Sequence, residues 1–301
     1  MITKTIGKED MRSMFPDIPK RANKGEMGRV LVVCGSYDPR GLAMCGAAYF
    51  ATKAAYLCGA GIVEIFTPRE NYSALASLVP EAIFSLYGYD EGLDEVKARV
   101  VSSVKKSDSV VLGCGLGKSE ISKVLVEAVL SSVDCPLVID ADGLNILAEN
   151  DEYWSHLGYN QRKMTVITPH PGEMSRLCGK AIPDILDDIS GVAQSFADEK
   201  GIICLLKDHN TAVSDGQVTY VNHSGNAGMA TAGMGDVLAG IIGALLVRST
   251  DAEGDVLCRV AAGAHLHGCA GDKSARKIGQ YSLVASELLA EIPSAIVDFF
   301  G

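Results

Sequence analysis

The stretch Asn226-Ala-Gly-Met-Ala-Thr-Ala-Gly-Met-Gly-Asp236 decides how this chain reads. It leaves a β-branched run and enters an apolar stretch that opens near Val237, so it marks a loop turning into a helix. Its glycines, 228, 233 and 235, let a backbone come close to a ligand. The unpaired N–H groups of a helix start make an anion site. Asp236 stands at that start with two readings open: a cap that satisfies the helix, or a general base held beside bound phosphate. A cap does not require three neighbouring glycines, whereas a phosphate cradle does.

Working outward, short apolar runs alternate with longer helical stretches from Arg29 onward. That is the rhythm of βα units on a mostly parallel sheet with helices on both faces. Strands are expected at Val30–Val33, Ile62–Phe66, Ser109–Leu112, Leu137–Ile139, Thr165–Ile167 and Ile202–Leu206. Helices are expected at about Leu42–Cys58, Ser119–Leu130, Gly143–Ala148, Gly172–Cys178 and Pro183–Glu199. Two short strands, Thr211–Val213 and Val218–Val221, flank the hairpin signal Ser214-Asp215-Gly216. Beyond the glycine-rich loop, Gly235–Val247, Glu253–Ala275 and Ser282–Glu291 read as helices. No linker rich in Pro, Ser or Gly divides the chain, so residues 1–301 are expected to form one domain, with 1–23 as an N-terminal extension.

Composition narrows the partners. The 27 Lys and Arg against 37 Asp and Glu give a formal charge of −10, which disfavours general attraction to nucleic acid or anionic lipid. Any phosphate must be gripped locally. The nine Cys form no CxxC pair and read as free thiols of a reducing compartment, neither disulfides nor a zinc site. Met1–Lys20 lacks the apolar core of a signal peptide, and no later run reaches the roughly 20 apolar residues of a membrane span. The expectation is a cytoplasmic protein.

Other strand ends carry candidates. Gly113-Cys-Gly-Leu-Gly-Lys-Ser119 imitates a P-loop, but Leu112 occupies the place of the first Walker glycine. It reads either as a tight turn or as a turn whose amides face a ligand. Ile139-Asp-Ala-Asp-Gly-Leu-Asn145 ends a strand in two carboxylates, which can hold Mg²⁺ or cap the following helix. In Thr168-Pro-His-Pro-Gly-Glu173, His170 lies between prolines as a rigid contact, and Glu173 could simply compensate a helix dipole. Lys207 closes a strand where a cation would meet phosphate, or where a solvated lysine would sit. His265 and His267 are two apart on a helix and point to different faces, so a metal pair is rejected.

In their order these motifs resemble the ADP/ATP-dependent NAD(P)H-hydrate dehydratases, ribokinase-like enzymes that restore NADH and NADPH from their hydrates. Lys24–Ser36 resembles the family's opening strand and turn, and Gly41–Gly61 its first long helix. Gly113–Gly117, Asp140–Asn145, Thr168–Glu173, Asn226–Asp236 and His267–Asp272 then follow in the same order. The resemblance implies a ribokinase-like three-layer α/β fold with a mostly parallel central sheet. It makes Asp236 the catalytic base, with Ala47, Gly115, His170 and Asp236 contacting the hydrated nicotinamide. Lys207, Asp208, His209, Asn210 and Thr211 would bind the adenine nucleotide with Asn226, Gly228, Met229, Ala230, Thr231, Gly233 and Gly235. Asp208 and His209, where the family's Lys is usually followed by Gly, and Met234, where it has a small residue, depart from its pattern.

The implied substrates are NADHX or NADPHX and a phosphoryl donor, ADP or ATP, with Mg²⁺ through ligands that no motif identifies. ADP is the expected donor for a chain read as standalone and leaderless. The family's epimerase domain is not expected in front of the first motif, and a homo-oligomer is expected through the apolar C-terminal helices. Phosphorylating the C6 hydroxyl would turn a poor leaving group into a good one, after which the ring nitrogen expels phosphate. The alternatives are a thiamine-precursor type kinase of the same fold and a nucleotide-binding regulator that has lost catalysis. An NAD-dependent dehydrogenase is disfavoured because Gly35-Ser-Tyr-Asp-Pro-Arg-Gly41 is not GxGxxG.

Overall fold

A computed structural model describes residues 2–38, 40–158, 161–162, 164–249 and 254–301. The first half holds strands β1 (Ile2–Lys4), β2 (Arg29–Val33), β3 (Tyr37–Asp38), β4 (Leu42–Ala43), β5 (Ile62–Pro68), β6 (Ile83–Tyr87), β7 (Ser109–Leu112) and β8 (Leu137–Ile139). Its helices are α1 (Lys8–Met14), α2 (Cys45–Leu57), α3 (Tyr72–Leu78), α4 (Leu93–Val104), α5 (Glu120–Ser132) and α6 (Asp142–Glu149). The second half adds β9 (Thr165–Ile167), β10 (Ile203–Leu206), β11 (Thr211–Ser214) and β12 (Val218–Asn222). Between and after these lie α7 (Pro171–Cys178), α8 (Ile182–Asp187), α9 (Ile189–Lys200), α10 (Met234–Leu246), α11 (Asp255–Ile278) and α12 (Ala285–Asp298).

The main sheet runs β1-β12-β11-β10-β9-β8-β7-β2-β5-β6. Neighbours from β10 through β6 are parallel, and β11 is antiparallel to both β10 and β12. Val30 to Val33 are fully buried, as a strand covered on both faces requires. One apolar layer joins the sheet to α2, α10, α11 and α12, and a second joins it to α4, α5, α6 and α9. This is the three-layer α/β arrangement expected.

The main-sheet strands read from the sequence are present within a residue or two. The helix expected from Leu42 instead starts at Cys45, because Leu42–Ala43 pairs antiparallel with Tyr37–Asp38 in a small hairpin. The single helix expected over Pro183–Glu199 is broken at Asp188, whose carboxylate caps the second piece by accepting from Gly191 N at 2.9 Å. Ser282 lies in a 3-10 turn, so the last helix starts at Ala285, and it continues past Pro293. Glu253, the expected start of the preceding helix, lies outside the described residues. The segment expected as an extension contributes to the fold: Ile2–Lys4 pairs parallel with Val218–Tyr220, and α1 buries Met11 and Met14.

The chain leaves β2 towards β5 and β6 on one side, then returns to β7 on the other. That reversal is the kind of switch point at which open α/β sheets bind ligands. Gly35 N donates to Cys114 O across it at 2.9 Å. Helix α10 crosses close behind, and a Cβ on Gly240 would overlap the Ala51 carbonyl of α2. Gly240→Ala should therefore lower stability by roughly 1–3 kcal/mol in denaturant unfolding. An unchanged midpoint would contradict this account of the helix contact.

Candidate active site

The carboxyl ends of β8, β9 and β10 are extended by backbone bonds that place three side chains together. Asp140 N donates to Leu112 O at 3.0 Å, Thr168 N to Ile139 O at 3.1 Å, and Lys207 N to Pro169 O at 2.8 Å. Lys207 Nζ then lies 2.8 Å from Asp140 Oδ1 and 3.9 Å from Glu173 Oε2. Burial works to lower the lysine's pKa, but the two carboxylates more than offset it and the net shift is upward. The lysine stays charged.

The first turn of α10 sits against this pair, for a Cβ on Gly235 would lie 3.3 Å from both Asp140 Oδ2 and Lys207 Nζ. Asp236 follows. Oxygens of Asp236 and Asp140 and the Cys114 sulfur lie within 4.8 Å of one another. Burial, and next the Asp140 charge, push the Asp236 carboxyl up to about 7, against the opposing pull of Cys114 and Lys207. The Cys114 thiol is itself held well up by Cys34 and by burial, so it stays protonated and can donate to a carboxylate.

Asp236 is not the cap. Gly233 is the N-cap residue, at φ 92°, and the first helical bond runs from Val237 N to Gly233 O at 3.0 Å. The amides ahead of that bond are the orphan donors of a helix start. A Cβ on Gly233 would meet Phe50 Cε2 at 2.7 Å and Ala285 Cβ at 2.9 Å, so this glycine permits the turn and is packed away from the ligand side.

A cavity of about 700 Å³ opens beside this turn. Of the residues expected to bind nucleotide, Lys207, Asp208, His209, Thr211, Asn226, Met229, Ala230, Thr231 and Gly235 line it. Asn210, Gly228 and Gly233 do not. Asn210 instead bonds His209 Nε2 at 2.9 Å and His223 Nδ1 at 2.7 Å, while Gly228 packs against Gln280. Of the residues expected to contact the hydrate, His170 lines the cavity, whereas Ala47, Gly115 and Asp236 are outside its wall. Ala47 and Gly115 touch each other, since a Cβ on Gly115 would lie 2.8 Å from Ala47 Cβ, and Cys114 links them to Asp236.

Several open readings are resolved. His170 is the cap of α7: its Nδ1 accepts from Gly172 N at 3.0 Å and Glu173 N at 3.3 Å. Glu173 Oε2 accepts from His170 N at 2.9 Å in return, which completes a capping box. Asp142 caps nothing on its own helix; it accepts from Gly117 N at 2.8 Å and fixes that turn. Lys118 pairs with Glu149 at 2.7 Å, away from any phosphate cradle, and Ser119 caps α5. Of the departures, Asp208 Oδ2 lies 2.8 Å from His209 Nδ1, and Met234 is buried between the core and the cavity, whose wall it joins.

Other participants were not legible locally. Asp272, on α11, accepts from Gly225 N at 3.0 Å and Asn226 Nδ2 at 2.9 Å, tying down the loop from 46 or more residues away. Asn222, Ser224, Leu238, Ala264, His267 and Gly268 also line the cavity. His265 turns instead to Asn222, with Nδ1 at 3.3 Å from Oδ1, so the two histidines do diverge.

The architecture is that of the ribokinase-like class. A ribokinase-like superfamily protein of Enterococcus faecalis superposes with a TM-score of 0.84 at 24% identity, over 99% of this chain and 96% of that one. Within that class, the family model described as NAD(P)H-hydrate dehydratase matches residues 30–294. The ADP-dependent (S)-NAD(P)H-hydrate dehydratase of Cenarchaeum symbiosum is 32% identical over 99% of each chain. The bifunctional NAD(P)H-hydrate repair enzyme Nnr of Moorella thermoacetica is 37% identical over 94% of this chain. The chain spans about half the length of such bifunctional relatives, 52% in that case. It belongs to the NAD(P)H-hydrate dehydratase family.

The raised Asp236 pKa has a cost in stability. In the folded protein this carboxyl holds its proton up to about 7, against about 3.9 unfolded, so its ionisation destabilises the fold progressively as pH rises between those values. Asp236→Asn should melt above the wild type, with an advantage that grows from about pH 4 to about pH 7 and is flat beyond. A melting difference independent of pH would contradict the shifted carboxyl.

Proposed function

We propose that this protein dehydrates the (6S)-hydrates of NADH and NADPH in a nucleotide-dependent reaction, with ADP as phosphoryl donor and AMP and phosphate as products. The observation that carries the reading is Asp236, a carboxyl pushed up to about 7 at an open helix start, beside the charged Lys207 and a cavity of nucleotide size. Family membership supplies the substrate class, and the ADP-dependent relative of C. symbiosum supports ADP as the donor.

Asp236 takes the proton of the C6 hydroxyl, and that oxygen attacks the β-phosphorus of ADP as AMP leaves. The α10 amides and Lys207 stabilise the charge on the transferring phosphoryl. The ring-nitrogen lone pair then expels phosphate from C6, and loss of a C5 proton restores the C5=C6 bond. A pKa near the working pH suits a group that must accept a proton and later release it. Ala47, Gly115 and His170 hold the nicotinamide side; Lys207–Thr211 and the Asn226–Gly235 loop hold the nucleotide. Asn210, Gly228 and Gly233 serve this by shaping the loops that carry the contacts.

Of the cluster Cys114, Asp140 and Asp236, the thiol does not suit a hard cation and Asp236 serves as the base, so the Asp140 carboxylate is the protein oxygen that would hold Mg²⁺. When bound, Mg²⁺ neutralises phosphate charge. We read the chain as one ribokinase-like domain, because the segment ahead of the first motif joins the same sheet and core. Its apolar C-terminal surface, with Val297 67% and Phe300 50% exposed, supports a homo-oligomer. No described helix is long and apolar enough to cross a membrane.

The direct test supplies purified protein with NADH hydrates, Mg²⁺ and ADP, ATP or no nucleotide. Return of the dihydronicotinamide near-ultraviolet absorbance is expected only with nucleotide, matched by release of AMP and phosphate when ADP is the donor. Accumulation of a stable phosphoester would overturn the reading. Asp236→Ala should lose at least about 10²-fold in turnover with the fold intact, and the wild-type rate should rise with pH through about 7 as the base form is populated. Near-normal turnover of the variant would remove Asp236 from the base role.

A further inference from the structure

The end of the segment His267–Asp272 lies behind the loop that borders the 700 Å³ cavity, and three of its residues meet that loop directly. A Cβ on Gly268 would fall 2.2 Å from Ser224 Oγ and 2.5 Å from the Ser224 carbonyl carbon, and one on Gly271 would fall 2.4 Å from Met229 Sδ. The two glycines therefore keep α11 bare where the loop rests on it. Asp272, one turn beyond Gly268, ends this seat with a carboxylate.

Both oxygens of that carboxylate are engaged by the loop: Oδ2 accepts from Gly225 N at 3.0 Å and Oδ1 from Asn226 Nδ2 at 2.9 Å. Asn226 is oriented by this contact. With its amide nitrogen on Asp272, its Oδ1 accepts from Gly228 N at 3.0 Å and caps the short turn Ala227–Met229. Gly225, Asn226, Ala227, Met229 and Ala230 all line the cavity, whereas Asp272 stands behind them, outside its wall. Hydrogen bonds to a carboxylate are the stronger kind, and a loop ordered beforehand spares its ligand the entropy of ordering it. The far end of the loop, next to Asp236, is held separately by Gly233 against Phe50 and Ala285.

We propose that Asp272 is a positioning residue for nucleotide binding: through Gly225 and Asn226 it holds the cavity-lining loop in its binding conformation, and it sets nucleotide affinity without touching the ligand. Gly268 and Gly271 give that loop its seat. The inference rests on the reading that the cavity takes an adenine nucleotide. Because the turn that carries Asp236 has its own anchor, losing the Asp272 contact bears on the nucleotide and not on the base.

Exchanging the two side chains tests it, with calorimetric ADP binding and steady-state dehydration of NADH hydrates measured for the wild type, Asp272→Asn, Asn226→Asp and the double variant. Asp272→Asn sets an amide NH₂ against one of two N–H donors, and Asn226→Asp sets two carboxylates face to face. Each single change should weaken ADP binding and raise the KM for ADP about tenfold or more, the size of a lost hydrogen bond to a charged group. Asp272→Asn should leave kcat at saturating ADP and the KM for the hydrate close to the wild-type values. The double variant restores each pairing, its carboxylate at 226 accepting from its amide at 272, and should recover most of the affinity. Wild-type ADP affinity in Asp272→Asn overturns the proposal, as does a double variant no better than the weaker single one. So does a loss that falls equally on kcat, the hydrate KM and the ADP KM, which is the pattern of general destabilisation. A wild type that binds no ADP overturns the nucleotide reading of the cavity and this proposal with it.

Discussion

Two carboxylates that cannot both be comfortably ionised organise this site. Asp140 is almost wholly buried and lies 2.8 Å from Lys207 Nζ. Its negative charge acts on Asp236, whose own burial already disfavours ionisation, and together they carry it up to about 7. Lys207 is shared: it satisfies Asp140, faces Glu173 and still borders the cavity where phosphate would lie. The site is therefore under electrostatic tension that a proton or a dication relieves.

The fold is what makes this arrangement possible. Parallel strands deliver their carboxyl ends to one edge, so Asp140, Glu173 and Lys207 come from three successive strand ends, held by the bonds that extend the ladder. Helix α10 brings its amino end to the same edge, and it reaches that position by pressing Gly240 against α2 and Gly233 against Phe50 and Ala285. The glycines of the Asn226–Asp236 loop thus divide the work. Gly235 faces the charged pair, whereas Gly228 and Gly233 serve the packing of the loop.

The sheet was legible because its strands are unbroken apolar runs, and the active loop was legible because small residues precede an apolar helix. Both are local signals. The edges were less visible: β6, interrupted by Ser85, was missed, and Ile2–Lys4 is exposed and short, with nothing in its pattern to announce pairing with β12. The Asp188 break was hidden by a helical pattern on either side, and the capping by His170 by a motif that drew attention to its prolines. Relations over long separations were out of reach of any local reading. Lys207 finding Asp140 and Asp272 tying Asn226 depend on how strand ends and α11 come together. The position of Asp236 was found from the sequence, but that it is not the cap could be seen only once Gly233 was found in that place.

The central claim is that burial and Asp140 together hold Asp236 as a base poised near neutral pH. Its most direct test is a ¹³C-detected titration of the side-chain carboxyls in the nucleotide-free protein, with the Asp236 resonance assigned by its loss in Asp236→Asn. The account predicts a titration near pH 7 that moves to lower pH in Asp140→Asn, where the neighbouring negative charge is gone and Lys207 remains. An Asp236 carboxyl that titrates in the ordinary range near 4, unaffected by position 140, would contradict it.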